Sequence, residues 1–218
     1  MRYHYISIVL AVVVTLTFTS SFILGDLQAQ QNQKSVTAGK ESATAENKPA
    51  TAEKKSATTG EELLTVKLQA PENKLNQAYL GINGETFNIS DISASVVIVQ
   101  IFSMYCPHCQ RDAPNMNNFF NLIQKSESYK DKIKLIGIGV GNSLFEVDFF
   151  RKTYSVEFPL LPDQDFKIHK LLGQVRTPYF IGFKRLKDGS LKLFMSESGG
   201  DREPQVFIEQ IIKQAGRL

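Results

Sequence analysis

Two cysteines separated by two residues, Cys106-Pro107-His108-Cys109, constrain this chain more than any other feature of its sequence. They are the only cysteines among 218 residues, whereas small secreted scaffolds that depend on disulfides contain many more. A disulfide that closes so short a loop restricts the unfolded chain little and contributes at most about 2 kcal/mol. The pair is therefore predicted to serve chemistry rather than stability.

The motif lies between a predicted buried strand and a predicted helix. Residues 96–102 (VVIVQIF) form a near-continuous apolar run, which is typical of a strand buried on both faces. Pro107 fits the first position of a helix, where its missing N–H is not needed. A helix N-terminus presents unpaired N–H groups and partial positive charge, and both stabilise a thiolate. We therefore predict that Cys106 is the nucleophile and that Cys109 resolves the mixed disulfide.

The residue types around the cysteines also bear on tuning and on metals. His108 is predicted to tune Cys106 by adding positive charge or a hydrogen bond, which makes the couple more oxidising. A C-x-x-C pair is half of a zinc site, but such a site needs two further ligands. His4 lies in the N-terminal apolar segment and His169 on a predicted helix. No metal or other cofactor is predicted, and a copper carrier built from Cys106, Cys109 and His169 is kept as an alternative.

The N-terminal segment predicts export. Residues 6–24 are apolar and uncharged, which suits either a membrane-spanning helix or the core of a cleaved signal peptide. Residues 1–29 are interpreted as a signal peptide or signal anchor, with cleavage left open. Residues 30–62 are rich in Ala, Thr, Ser, Lys and Glu and are predicted to form a disordered tether. The predicted location is therefore extracytoplasmic, in the periplasm or cell envelope.

Residues 63–218 are predicted to form one α/β domain with a central mixed sheet flanked by helices and an extra N-terminal β-hairpin. Asn83-Gly84 indicates a tight hairpin turn between short strands. Residues 133–140 (IKLIGIGV) indicate a second buried strand. The remaining predictions are an amphipathic helix through the apolar residues Phe145, Phe149, Phe150 and Tyr154, a strand near 158–161, a helix near 163–172, a hairpin of 179–186 with 191–195, and a last helix capped by Asp201 with Pro204 in its first turn.

The charge pattern excludes one class of partner. The formal net charge is +3, and no basic stripe alternates with aromatic residues. Nucleic-acid binding therefore has no support. Nothing in the sequence indicates more than a monomer.

The motif and its surroundings resemble the thioredoxin superfamily, specifically its TlpA/ResA-like branch of extracytoplasmic proteins. The resemblance rests on residues 102–109 (FSMYCPHC), 110–114 (QRDAP) and 176–180 (RTPYF). It implies a cis peptide bond before Pro178, which would pack beside the active-site disulfide, and a Thr177 backbone that binds an extended substrate segment. It also implies that Asp112, where the branch usually has glutamate, modulates the protonation of the cysteines.

The chain departs from related sequences at three places. Gln100 stands where thioredoxin has a buried aspartate, and Tyr105 stands where a tryptophan is usual. The Pro107-His108 dipeptide matches DsbA-type oxidases, yet too few residues separate Cys106 from Pro178 for the large helical insert of that type. The architecture is therefore similar to TlpA-like reductases, whereas the dipeptide is similar to the oxidases.

The resemblance implies a thiol–disulfide oxidoreductase that acts on exported protein disulfides or dithiols. As a reductant, for example in cytochrome c maturation, it would need a membrane electron donor of the CcdA/DsbD type. The alternative of a DsbA-like oxidase needs an electron acceptor such as a quinone-coupled partner. A peroxiredoxin-like peroxidase is a further alternative, since Ser103 lies three residues before Cys106, although Val99 stands where that motif has proline.

Overall fold

The computed structural model describes residues 60–216. The strands are β1 (Leu68–Gln69), β2 (Thr86–Phe87), β3 (Val96–Phe102), β4 (Ile133–Val140), β5 (Leu160–Asp163), β6 (Tyr179–Arg185) and β7 (Leu191–Ser198). The helices are α1 (Lys74–Leu80), α2 (Pro107–Lys125), α3 (Leu144–Thr153), α4 (Lys167–Leu171) and α5 (Pro204–Ala215). A 3-10 turn covers Ile89–Asp91, and residues 60–63 are helical.

Five strands form one mixed sheet in the order β5-β4-β3-β6-β7. β3, β4 and β5 run parallel, whereas β6 pairs antiparallel with both β3 and β7. Parallel neighbours need crossover connections, and α2 and α3 provide them. The predicted α/β class with a mixed sheet flanked by helices is confirmed. β1 and β2 form a separate antiparallel pair.

The central strand β3 supplies side chains to two hydrophobic clusters. All its residues are buried, and successive side chains point to opposite faces of the sheet. Val96 and Phe102 pack in a cluster with residues of α2 and α5. Val97 and Ile101 pack in a second cluster with residues of β1 and β2. Residues 60–216 therefore have the core that an independently folding domain needs.

The N-terminal strand pair is present, but the prediction of a tight turn at Asn83-Gly84 is wrong. β1 and β2 are joined by a segment that contains α1. Asn73 caps this helix by accepting a hydrogen bond from the Leu75 N–H at 2.8 Å. Gly81 ends it in the left-handed conformation, with φ at 68°. The signals of this region therefore specify a helix start and a helix end rather than a hairpin turn.

The prediction for the buried face of α3 is wrong in part. The side chains of Phe145 and Phe149 are 77% and 52% exposed. Val147 and Phe150 are buried instead, and Tyr154 packs against the same cluster. These three follow the helical spacing i, i+3 and i+7, whereas Phe145 and Phe149 lie four residues apart on another face.

Three element ends also differ from prediction. Glu203, not Asp201, is the N-cap of α5, and Pro204 follows in the first helical position. Asp201 has a positive φ of 57°. The strand predicted near 158–161 is shifted to β5, and the helix predicted near 163–172 is only α4. The reason is that Asp163 ends β5 and its carboxylate accepts hydrogen bonds from two N–H groups of α4 at 3.0 Å.

The predicted segment 1–29, and the predicted tether up to residue 59, lie outside the described residues. Residues 60–62, predicted as the end of the tether, are helical instead. A Cβ atom on Gly60 would lie 2.7 Å from the side chain of Leu193, so this residue packs tightly on β7. Among residues 60–216, no helix combines the length and apolar character needed to span a membrane.

The guanidinium of Arg185 joins β6 to two neighbouring loops. Its Nε and Nη2 donate to the carbonyl oxygens of Ala94 at 2.9 Å, Ile92 at 2.7 Å and Ser90 at 3.1 Å. Its Nη1 donates to the carbonyl oxygen of Gly189 at 2.7 Å. One side chain therefore satisfies four backbone acceptors, which only the planar fork of arginine can do.

We predict that Arg185→Lys lowers the free energy of unfolding by about 2 kcal/mol, because the lysine ammonium cannot reach all four carbonyl oxygens. Urea unfolding of residues 60–218 measures this difference. Arg176→Lys is the matched control, since Arg176 is exposed and surface substitutions change stability by about 0.5 kcal/mol or less. Equal stability of the two variants would contradict the prediction.

Candidate active site

The cysteine motif forms the first turn of α2. Cys106 is the N-cap with extended φ and ψ of −85° and 112°, and Pro107 occupies the first helical position. The Cys106 Sγ accepts a hydrogen bond from the Cys109 N–H at 3.3 Å. An N-cap side chain normally satisfies a free N–H in this way through oxygen, and here sulfur has that role. The reactive atom is therefore held among the free N–H groups of the helix.

The loop before Cys106 is fixed by two amide side chains. The Met104 N–H donates to Oδ1 of Asn142 at 2.8 Å, and Gln110 Nε2 donates to the Met104 carbonyl oxygen at 2.7 Å. Asn142 is fully buried and follows β4. Because β3 and β4 are parallel, their carboxyl ends meet at the same sheet edge. The sequence prediction missed Asn142, for which the only signal was a polar residue two positions after a buried strand.

The segment Thr177-Pro178 faces Cys106 from the neighbouring strand β6. The peptide bond between these two residues is cis, as predicted, and Pro178 is buried. The Cys106 thiol lies 3.3 Å from the Thr177 carbonyl oxygen. β6 is antiparallel to β3, so its beginning lies beside the end of β3. The structure therefore brings Cys106, Cys109, Thr177 and Pro178 together.

The two thiols differ in acidity. Partial burial raises the pKa of Cys106, but hydrogen bonds with Thr177, with the Cys109 thiol and with the N–H groups of Cys109 and His108 outweigh it, so that the net pKa lies below the ordinary value of a cysteine thiol. Burial, followed by the hydrogen bond to Cys106, raises the pKa of Cys109 to about 12. Cys106 is half-buried, whereas Cys109 is 1% exposed. Only Cys106 is both accessible and acidified.

Asp112 lies buried on α2, three residues beyond Cys109 and therefore near it on the helix surface. Its Oδ1 accepts a hydrogen bond from the Asp201 N–H at 2.8 Å, and its Oδ2 is buried without a partner. A Cβ atom on Gly200 would touch both Pro178 and Asp112, at 2.9 and 3.8 Å. Burial raises the pKa of Asp112 to about 6. The Asp112 carboxyl group and Pro178 thus both lie next to Gly200.

His108 and Pro107 lie on the exposed side of the motif. The Arg111 guanidinium donates to Nδ1 of His108 at 2.8 Å. The His108 backbone N–H is among the groups that lower the pKa of Cys106. The ring's interaction with Arg111 places the Arg111 cation beside the motif, which the sequence prediction did not include.

Tyr105 connects the motif to α3. Its hydroxyl donates a hydrogen bond to Oε1 of Glu146. The other oxygen of Glu146 accepts from the Ser143 N–H and hydroxyl, both at 2.7 Å. Glu146 therefore caps α3 and orients Tyr105 at the same time. The sequence prediction noted Tyr105 only as a replacement for tryptophan and missed Glu146.

His169 lies beyond this motif in α4 and makes a local contact. Its Nε2 lies 2.9 Å from the Val175 carbonyl oxygen, to which it donates. Within residues 60–216, no group of three or more His, Cys, Asp or Glu side chains is arranged to hold a metal ion.

The chain matches one family model and several sequence relatives. The profile of the AhpC/TSA family matches residues 66–208. The thiol-disulfide oxidoreductase ResA of Bacillus subtilis is 27% identical over 106 residues, which cover 49% of this chain and 54% of that protein. ResA of Oceanobacillus iheyensis is 24% identical over 115 residues, which cover 51% and 57%. The chain thus spans just over half the length of these relatives.

Two solved structures share the fold. A secreted disulfide oxidoreductase of Mycobacterium tuberculosis, homologous to Escherichia coli DsbE, superposes with a TM-score of 0.50 at 15% identity and covers 70% of this chain and 98% of its own. Mycobacterium tuberculosis DsbF superposes equally well, covering 71% and 97% at 15% identity. At such low identity these matches show the fold alone. The fold is thioredoxin-like.

We predict different alkylation behaviour for the two thiols in single-cysteine variants of residues 60–218. In Cys109→Ser, Cys106 reacts with iodoacetamide with a pH midpoint below that of an ordinary free cysteine, because the hydrogen bond with Thr177 and the helix N–H groups lower the pKa of its thiol. In Cys106→Ser, Cys109 reacts slowly with iodoacetamide at pH 8, because its side chain is 1% exposed and burial raises its pKa. Mass spectrometry of timed samples gives both rates. Equal rates at pH 8 would contradict the assignment of the nucleophile.

We also predict that Asp112 makes stability fall as pH rises. Its folded pKa of about 6 exceeds the ordinary value of 3.8, so the folded protein binds more protons than the unfolded chain within this window. The free energy of unfolding then decreases with rising pH by about 3 kcal/mol in total.

This Asp112 contribution is isolated by comparison with Asp112→Asn, which keeps the shape but cannot ionise. The free energy of unfolding of wild type minus that of the variant should fall by about 3 kcal/mol between about pH 4 and pH 7. Urea unfolding at several pH values measures this. A difference that does not change with pH would show that the carboxyl group titrates normally.

Proposed function

We propose that the chain, which belongs to the AhpC/TSA family, is a thiol–disulfide oxidoreductase that acts on exported proteins through Cys106 and Cys109. One observation carries the proposal: an accessible, acidified thiol at a helix N-cap lies against a buried thiol of the same turn. The relatives named thiol-disulfide oxidoreductase ResA support the same activity for this chain. The chemistry needs no cofactor.

The reaction uses the difference between the two thiols. The Cys106 thiolate attacks one sulfur of the substrate disulfide, which breaks that bond and releases one substrate thiolate. Cys109 then loses its proton and attacks Cys106 Sγ, which releases the second substrate thiolate and leaves a Cys106–Cys109 disulfide. Two electrons pass from the cysteine pair to the substrate, and each released thiolate takes up one proton.

Asp112 is proposed to accept the proton of Cys109 in the second step. Burial raises the pKa of Cys109 to about 12, so this thiol needs a base. The Asp112 carboxyl has a pKa of about 6 and a buried oxygen without a partner. A base with a pKa near neutrality is well suited to such a transfer. Aspartate thus takes the role that the resemblance gives to glutamate.

Thr177 and Pro178 are proposed to align the substrate. The Thr177 carbonyl lies 3.3 Å from Cys106 Sγ, so an extended segment that binds the Thr177 backbone would place its disulfide at the nucleophile. His108 is proposed to tune the couple through its backbone N–H and through the Arg111 cation bonded to its ring. Pro107 is proposed to act through the fixed helix start.

The direction of electron flow is proposed to be reduction of substrates, for example in cytochrome c maturation, after which a membrane donor of the CcdA/DsbD type would restore the dithiol. Two observations support this direction. The relatives are named ResA, and the segment between Cys106 and Pro178 lacks the large helical insert of the DsbA-type oxidases. The protein is proposed to act outside the cytoplasm, as a monomer, with residues 1–29 as signal or anchor and residues 30–59 as tether.

The reduction potential of the cysteine pair tests both activity and direction. Residues 60–218 are equilibrated with glutathione or thioredoxin buffers, and the disulfide fraction is measured by alkylation and mass spectrometry. We expect a potential nearer to the thioredoxin value of about −270 mV than to the DsbA value of about −120 mV. A potential near the DsbA value would contradict the reductant role and indicate an oxidase. Failure of the pair to form a disulfide would overturn the proposal and favour a metal carrier.

A second measurement identifies the chemistry directly. Cys109→Ser should accumulate a covalent mixed disulfide with a protein substrate, because the resolving thiol is missing, whereas Cys106→Ser should trap none. Turnover of hydrogen peroxide faster than reduction of a protein disulfide would assign the chain to the peroxidases instead.

A further inference from the structure

Large apolar side chains are exposed beside the cysteine motif. Tyr105, Phe145 and Phe149 are 64%, 77% and 52% exposed, and together with Met104 they line one shallow groove. We call the three exposed residues the aromatic patch. Contiguous exposed apolar surface of this kind marks interaction sites in soluble proteins.

The fold itself does not need these side chains. The buried face of α3 is made by Val147 and Phe150, and the Ser143–Glu146 capping box sets the helix start. Phe145 and Phe149 contribute to neither. They lie four residues apart on one helix face, and that face borders the loop that carries Tyr105. Two exposed phenyl groups therefore need an explanation outside folding.

Tyr105 lies between two grooves. It lines the groove of the aromatic patch, and it also lines a second groove with Ser103, Phe166 and Thr177. Thr177 is the residue whose carbonyl oxygen lies 3.3 Å from Cys106 Sγ. Tyr105 therefore connects the groove that contains Thr177 to the groove of Phe145 and Phe149.

The charge of the patch groove favours an apolar ligand. The charged side chain among its lining residues is Glu146. The Glu146 carboxylate already accepts hydrogen bonds from Tyr105 and from Ser143. A polar or charged partner would therefore find few free groups, whereas an apolar side chain would bury the two phenyl rings.

We propose that the aromatic patch binds a large apolar side chain close to the reactive cysteine of the substrate. This inference rests on the proposed function and names its substrate class, a polypeptide that has not yet folded. The reason is that large apolar side chains are mostly buried in folded proteins. A groove that binds one beside a cysteine therefore selects extended, unfolded chains.

Matched peptide disulfides test this specificity. Two pairs of peptides differ only in Phe against Ser, two residues before the cysteine in one pair and two residues after it in the other. The rate of reduction by the dithiol form of residues 60–218 is measured for each. At one of the two positions we expect the Phe peptide to react about tenfold faster, as partial burial of one aromatic side chain allows. Equal rates in both pairs would overturn the proposal.

Variants locate the effect. In the double variant Phe145→Ser/Phe149→Ser, the ratio of the reduction rates of the Phe peptide and the Ser peptide should fall to about one. The control Val206→Ser removes an exposed apolar side chain of α5, and in this variant the ratio should stay about tenfold. Exposed positions are chosen so that the variants fold. If the double variant keeps a tenfold ratio of the two peptide rates, the aromatic patch does not bind the substrate. A dimer in sedimentation that the double variant loses would assign the patch to a second copy.

The same assay separates this inference from the proposed function. If the Phe and Ser peptides of each pair react at equal rates, only the proposed role of the aromatic patch is overturned. Absence of reaction with either peptide and with oxidised dithiothreitol would overturn the oxidoreductase activity itself.

Discussion

The hydrogen bond from the Cys109 N–H to the Cys106 sulfur is the interaction on which the site depends. It exists only if α2 begins at Pro107, because the N–H must be one of those without a carbonyl partner in the helix. It also gives the two thiols different surroundings, one at the helix end and one inside the first turn. Together with the burial of Cys109 and the hydrogen bond of Cys106 with Thr177, this placement shifts the pKa values of the two thiols in opposite directions.

Three neighbouring strands of the sheet position the residues around the start of α2. β3 leads directly into the motif, β4 leads to Asn142, and β6 begins directly after Pro178. The ends of these three neighbouring strands meet at one edge. Asn142 holds the Met104 N–H, so the loop before Cys106 is anchored to a different strand from the one that precedes it.

The sequence predicted the strand β3 and the start of α2 because each depends on local signals of a few residues. The contacts it missed join distant positions: Tyr105 to Glu146 and Met104 to Asn142. No local pattern specifies such pairs. The error in α3 has a different cause, since Phe145 and Phe149 have a helical spacing as regular as that of the buried residues.

The cysteine pair separates two environments that serve different steps. On the buried side, Cys109 and Asp112 lie out of contact with solvent, and burial raises the pKa of both groups. On the exposed side, Cys106 lies 3.3 Å from the Thr177 carbonyl oxygen, and Thr177 lines one groove with Tyr105. Under the proposed function, a substitution on the buried side therefore changes proton transfer, and one on the exposed side changes substrate choice. The first turn of α2 is the boundary, because it places one thiol on each side.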